Sequence, residues 1–169
     1  MSLKKPKSIP GIPKTRKKKP EKIKEAIHHK KSDEIEYTCS VYFSYNPSGK
    51  NQRYAVEIET IQLFSVLNYN LSVNSKKTKN IIDINVLGLK ATNNYTNEAG
   101  PAASVVYFDE LYGMHTINII KQDGSINSAV FNFNVFKKSI ELVEETVPDK
   151  KNNSRFCRFR VAEEKFTFA

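Results

Sequence analysis

From Ile35 onward the apolar residues keep a period of two. Ile35, Tyr37, Cys39, Val41, Phe43 and Tyr45 fall on one face, and Glu36, Thr38, Ser40 and Ser44 on the other. Successive side chains of a strand point to opposite faces, so this spacing describes a half-buried strand. A helix would repeat its apolar face every three to four residues. The same period returns along the chain. Val56 and Ile58 oppose Glu57 and Glu59 over about 53–64, and Leu67, Tyr69, Leu71 and Val73 oppose Asn68, Asn70 and Ser72. Ile82, Ile84 and Val86 follow, then Val105 to Phe108, then Gly113 to Lys121 with Ile117 and Ile119 inward. Ala129, Phe131, Phe133 and Val135 alternate with Asn132 and Asn134, and Ile140 and Leu142 continue the series. The last strands carry Cys157, Phe159 and Val161, then Phe166 and Phe168.

Polar breaks separate these runs. Residues 46–51 hold a turn former at almost every position, 74–80 is a polar loop, and 91–103 is loop-like with Gly100-Pro101 as its break. Asp123-Gly124 signals a hairpin with a type I′ turn, and 147–153 is the last loop. Short strands at this spacing predict an all-β fold. The expected form is an antiparallel β-sandwich of two packed sheets, immunoglobulin-like or jelly-roll-like, with a barrel as the alternative. The chain has no Trp, so the Cys…Trp…Cys signature of true immunoglobulin domains is missing.

Charge divides the 169 residues differently from hydropathy. Residues 1–31 hold twelve Lys and Arg against two Glu, a net of +10, whereas 32–169 is close to neutral at −1. Two regions follow: a basic Pro/Lys-rich arm over 1–33 and a β domain over 34–169. Pro6, Pro10, Pro13 and Pro20 fix φ and remove donors, so no helix or sheet runs through the arm. Its apolar surface is too small to offset the entropy of ordering, and an extended, fluctuating chain is expected. After Pro20 a short helix over 21–31 is expected, with Ile23, Ala26, Ile27 and Lys30 on one face.

A basic arm on a neutral body calls for a polyanionic partner. Lys4, Lys5, Lys7, Lys14, Arg16, Lys17, Lys18, Lys19, Lys22 and Lys24 are the candidate phosphate contacts, each able to release a counterion from a nucleic-acid backbone. In composition the arm resembles the threading tails of ribosomal proteins. Arg155, Arg158 and Arg160 form a second basic feature near the C-terminus; the latter two share one strand face and could extend the track onto the sheet. Charge guarding an edge strand against aggregation is the competing reading.

Signals for catalysis are weak. His28-His29 point about 100° apart on a helix, which does not make a metal site. Asp109, Glu110 and His115 form the one carboxylate–His grouping of the body, and a polar turn accounts for it. There is no Gly-x-Ser-x-Gly and no phosphate-binding Gly loop. Cys39 and Cys157 fall on apolar faces, where core thiols belong. The expectation is a non-enzymatic RNA-binding component of a ribosome or other ribonucleoprotein, without cofactor or metal. Its partners would be RNA (including ribosomal RNA) or another polyanion, and protein neighbours. The alternative is a protein-interaction or structural module whose arm binds an acidic protein. No apolar run follows the charged N-terminus and none reaches 18 residues, so the expected location is cytoplasmic, without membrane insertion.

Overall fold

The computed structural model describes residues 33–65, 67–95, 98–150 and 153–168. The arm and the helix expected over 21–31 lie outside them. The described chain forms nine strands: β1 (Tyr37–Asn46), β2 (Asn51–Phe64), β3 (Leu67–Thr78), β4 (Ile81–Tyr95), β5 (Gly100–Phe108), β6 (Gly113–Lys121), β7 (Ile126–Asn134), β8 (Ser139–Thr146) and β9 (Cys157–Val161). A single 3-10 turn, Glu163–Lys165, follows β9.

All nine strands belong to one sheet, in the order β8-β7-β6-β4-β3-β5-β2-β1-β9. Consecutive hairpins and meanders pair antiparallel, but β1 with β9, β3 with β5 and β4 with β6 pair parallel. The seam between β3 and β5 is narrow, carried by the pairing of Asn70 with Ala103. Odd-numbered strands therefore all run one way and even-numbered strands the other. The sheet curls until its edges β8 and β9 face each other, nearly closing a barrel around one core.

Period-two alternation supplies that core. In β7 buried and half-buried residues alternate without exception, and Asn127, Ala129, Phe131 and Phe133 point inward. Phe43, Phe131, Phe133 and Phe156 are its largest fully buried side chains, flanked by Ile58, Ile82, Ile84, Ile117 and Ile119. Burying each such side chain contributes about 1.5–3 kcal/mol. Edge-to-face ring contacts such as Tyr54 with Phe133, centroids 5.2 Å apart, fix the packing. Cys39 and Cys157 are both free and buried in this core. Burial pushes both thiols well up, with the nearby sulfur a smaller cause for Cys39 and the Glu145 charge for Cys157.

Several expectations are corrected. The two antiparallel sheets of a sandwich are replaced by one mixed sheet, because pairing of non-consecutive strands is invisible to local periodicity. The polar stretch 74–78 is strand: Asn74 to Thr78 pair with Asn85 back to Ile81, leaving Lys79 and Asn80 as the loop. Most of the segment 91–103 is strand as well, in β4 and β5. Backbone pairing holds the exposed polar residues 74–78 in strand despite their composition. The Asp123-Gly124 hairpin exists, but not as type I′, which needs positive φ at both residues. Only Gly124 has it, at +80°. Lys121 accepts from the Gly124 N–H at 2.9 Å, and Asp123 Oδ1 accepts from the Ser125 N–H at 2.9 Å, which describes a three-residue loop closed by a left-handed glycine. Phe166 and Phe168 are not in a strand; they pack on Phe43 at centroid distances of 5.1 and 5.2 Å.

Candidate functional site

Strand direction sorts the loops into two groups. Those following odd strands, at 47–50, 79–80, 109–112 and 135–138, gather at one end of the barrel, with the segment after Val161. This is the distal mouth. The chain enters the described structure at Asp33, at the opposite or proximal mouth.

The distal mouth holds an open pocket of about 480 Å³, lined by Gln52, Tyr54, Lys77, Lys79, Asn80, Asp109, Glu110, Leu111, Tyr112, His115 and Val135. The Asp109–Glu110–His115 grouping noted in the sequence is therefore part of the pocket wall. Asp109 Oδ1 accepts from Asn51 Nδ2 at 3.1 Å, and Asn51 Oδ1 accepts from Asn46 Nδ2 at 3.1 Å. This chain of amides ties the first loop to the pocket. Gly49 packs closely on this pair: a Cβ would lie 2.5 Å from Asn46 Nδ2 and 2.7 Å from Asn51 Oδ1, so a larger residue would displace the two amides. Lys77 Nζ donates to the Glu110 carbonyl. His115 is buried, with Nδ1 3.5 Å from the Gly113 carbonyl and its ring edge-on to Phe133. Burial lowers its pKa, and the Lys77 charge adds to this, partly offset by the Gly113 carbonyl. Ser, Thr and Cys are absent from the lining, so the pocket offers no hydroxyl or thiol nucleophile of those types. Among the described residues no group of three His, Cys, Asp or Glu could hold a metal ion.

Lysines and exposed rings share this mouth with the pocket. Among the described residues three non-glycine residues have positive φ, and all are lysines at distal loops: Lys50 at 48°, Lys79 at 52° and Lys138 at 50°. A left-handed conformation costs an L-residue about 1–2 kcal/mol, and Gly or Asn is the usual occupant. Beside them Tyr112 is 68% and Phe136 86% exposed, their rings 6.5 Å apart. Lys138 Nζ sits 4.7 Å above the Phe168 ring.

Compared with protein-family models, curated proteins and solved structures, the chain matches none.

The basic residues singled out in the sequence fare unequally. Lys4, Lys5, Lys7, Lys14, Arg16, Lys17, Lys18, Lys19, Lys22 and Lys24 lie outside the described residues. Arg155 precedes β9; its guanidinium pairs with Glu145 on β8, and its N–H donates to Asp33 Oδ1 at 2.8 Å. Arg160 donates from Nε to Ser40 Oγ at 2.9 Å and pairs with Glu164 at 2.8 Å. Arg158 is exposed on the outer face of β9, an edge strand. The alternation of Arg158 and Arg160 with Cys157 and Phe159 is as expected, yet two of the three arginines are occupied in joining elements. The lysines and rings of the distal mouth escaped sequence reasoning, since they are spread over four loops far apart in sequence. The available signal was parity: every one follows an odd-numbered strand.

The proximal mouth differs in chemistry. A groove of about 360 Å³ there is lined by Ile35, Tyr37, Ile61, Phe64 and Leu89 with Glu34 and Glu36 among them. Among the described residues no helix is long and apolar enough to cross a membrane.

Proposed function

We propose that this chain is a non-enzymatic RNA-binding protein, a cytoplasmic component of a ribosome or another ribonucleoprotein, anchored by its basic N-terminal arm. The observation that carries the reading is the separation of charge: +10 within residues 1–31 beside a body of net −1. Such an arm gains from counterion release on any phosphate backbone. Free buried thiols suit a reducing compartment. Arg158 would add a phosphate contact on the body. The test is a direct titration of RNA at several salt concentrations, comparing the full chain with one lacking residues 1–19 and one with a scrambled arm.

The second reading is a protein-interaction module. The apolar proximal groove and its exposed neighbours Ile61 and Leu63, at 51% and 59%, favour a protein neighbour at that end. Purification with and without ribonuclease separates the two: loss of partners on ribonuclease treatment supports the first, and a ribonuclease-resistant protein complex supports the second.

A further inference from the structure

We infer that the distal mouth is a second nucleic-acid contact, one that seats an unpaired nucleotide with its base against Tyr112 and Phe136 and its phosphates along Lys50, Lys79 and Lys138. This rests on the RNA-binding reading and places its base-recognition surface at the end of the barrel opposite the mouth where Asp33 lies.

Three independent features meet there. The first is backbone conformation. Each of the three left-handed lysines occupies a position where Gly relieves the strain, and all three lie at one end of the barrel. A charge retained at a strained position points to a use for the charge. The second feature is the pair of exposed rings. Phe136 is the most exposed large apolar residue among those described, and Tyr112 follows it. Stacking on flat unpaired bases is the interaction such rings offer beside cations. An apolar protein surface would leave these lysines unneutralised, whereas a nucleic-acid backbone neutralises them along its length and offers bases to the rings. The third is the pocket itself, about 480 Å³ and walled by Tyr54, Tyr112 and the carboxylates of Asp109 and Glu110, with Lys79 and Lys77 also in its lining, the latter's Nζ donating to the Glu110 carbonyl. Carboxylates repel phosphate and accept hydrogen bonds from the amino groups of bases. The backbone therefore belongs on the lysine rim and the base inside. A duplex cannot present a base this way without opening.

The chain has no Trp, so Phe136→Trp in the full-length protein introduces a single indole reporter at the mouth. Titration with a single-stranded RNA twelve nucleotides long should quench its emission. A duplex of the same sequence, and inorganic polyphosphate, should leave it largely unchanged even where they bind. In the otherwise native chain, Tyr112→Ala and Phe136→Ala should each weaken single-strand binding about tenfold while leaving duplex binding unchanged. Replacing Lys50, Lys79 and Lys138 together by Gly should weaken single-strand binding and flatten its salt slope by about two. The melting temperature of that triple variant should be unchanged or higher, because the left-handed strain is gone. Absence of quenching by single strands, equal quenching by polyphosphate, or unaltered binding by the Ala and Gly variants overturns the inference. Failure of the arm reading looks different: removal of residues 1–19 would then leave RNA affinity unchanged, whatever the mouth variants do.

Discussion

Asn127 holds the start of β9 in place. Its Oδ1, buried near the beginning of β7, accepts the backbone N–H of Phe156 at 2.8 Å and that of Cys157 at 2.9 Å. Its Nδ2 donates to the Ser154 carbonyl at 2.9 Å. Asn153 acts beside it, donating to the Ile126 and Pro148 carbonyls and accepting the Ile126 N–H. These two side chains replace the ladder that the edge strands β8 and β9 do not make with each other, and so close the barrel at its proximal end.

Removing the Asn127 carboxamide strands two buried N–H groups. Asn127→Ala should destabilise the fold by about 3 kcal/mol, since each unsatisfied buried group costs about 1–3 kcal/mol and some relaxation follows. Urea denaturation measures this. A cost below about 1 kcal/mol would mean that water takes over both bonds and the closure does not depend on Asn127.

Phe133 is 1% exposed and packs against Tyr54, His115 and Phe131. Phe133→Ala should cost about 3–5 kcal/mol through lost transfer energy and the cavity left behind. Asn132, its neighbour on the outer face, should cost under about 1 kcal/mol on change to Ala. The contrast between adjacent positions tests the register of β7 directly.

His115 is the one histidine of residues 34–169. Burial lowers its folded-state pKa, so the unfolded chain takes up the proton first as pH falls. Its contribution to stability is complete above the unfolded value of about 6.5 and declines as pH drops through that value toward the lower folded one. The denaturation midpoint should therefore fall between about pH 7.5 and 5.5. In His115→Gln this slope should flatten. A slope that survives the substitution assigns it to other groups.

Deleting residues 1–19 removes eight of the arm's twelve basic side chains. If about six of them meet phosphates, log K against log salt should have a slope near −5 on duplex and a shallower one on single strands. Raising salt from about 50 to 200 mM should then weaken binding by about a thousandfold, and truncation should reduce the slope by several units. The melting temperature should stay nearly constant, because residues 1–19 carry few apolar side chains to bury.

Much of the barrel was legible because alternation is a local property. Ile117, Ile119, Phe131 and Phe133 announce their burial through the spacing of their immediate neighbours, and the turn at Gly124 through its composition. Lys76 and Lys77 misled for the same reason: a polar stretch reads as loop, while the two residues stand in register opposite Asp83 and Ile82 in the antiparallel pair of β3 and β4. Local composition carries no information about a partner strand's hydrogen bonds.

The sequence by itself determined that the chain is all-β, which face of most strands is buried, and that the excess positive charge precedes the body. Each follows from residue type and order, which act over a few residues or by simple summation. The tertiary structure alone decided that β1 lies beside β9 and β4 beside β6, giving one mixed sheet instead of two antiparallel ones. It decided as well that Lys50, Lys79, Tyr112 and Phe136 share a mouth, although they come from four separate loops. Long-range strand pairing is selected by the closure of the whole core, a free energy summed over all nine strands, and no local segment encodes it.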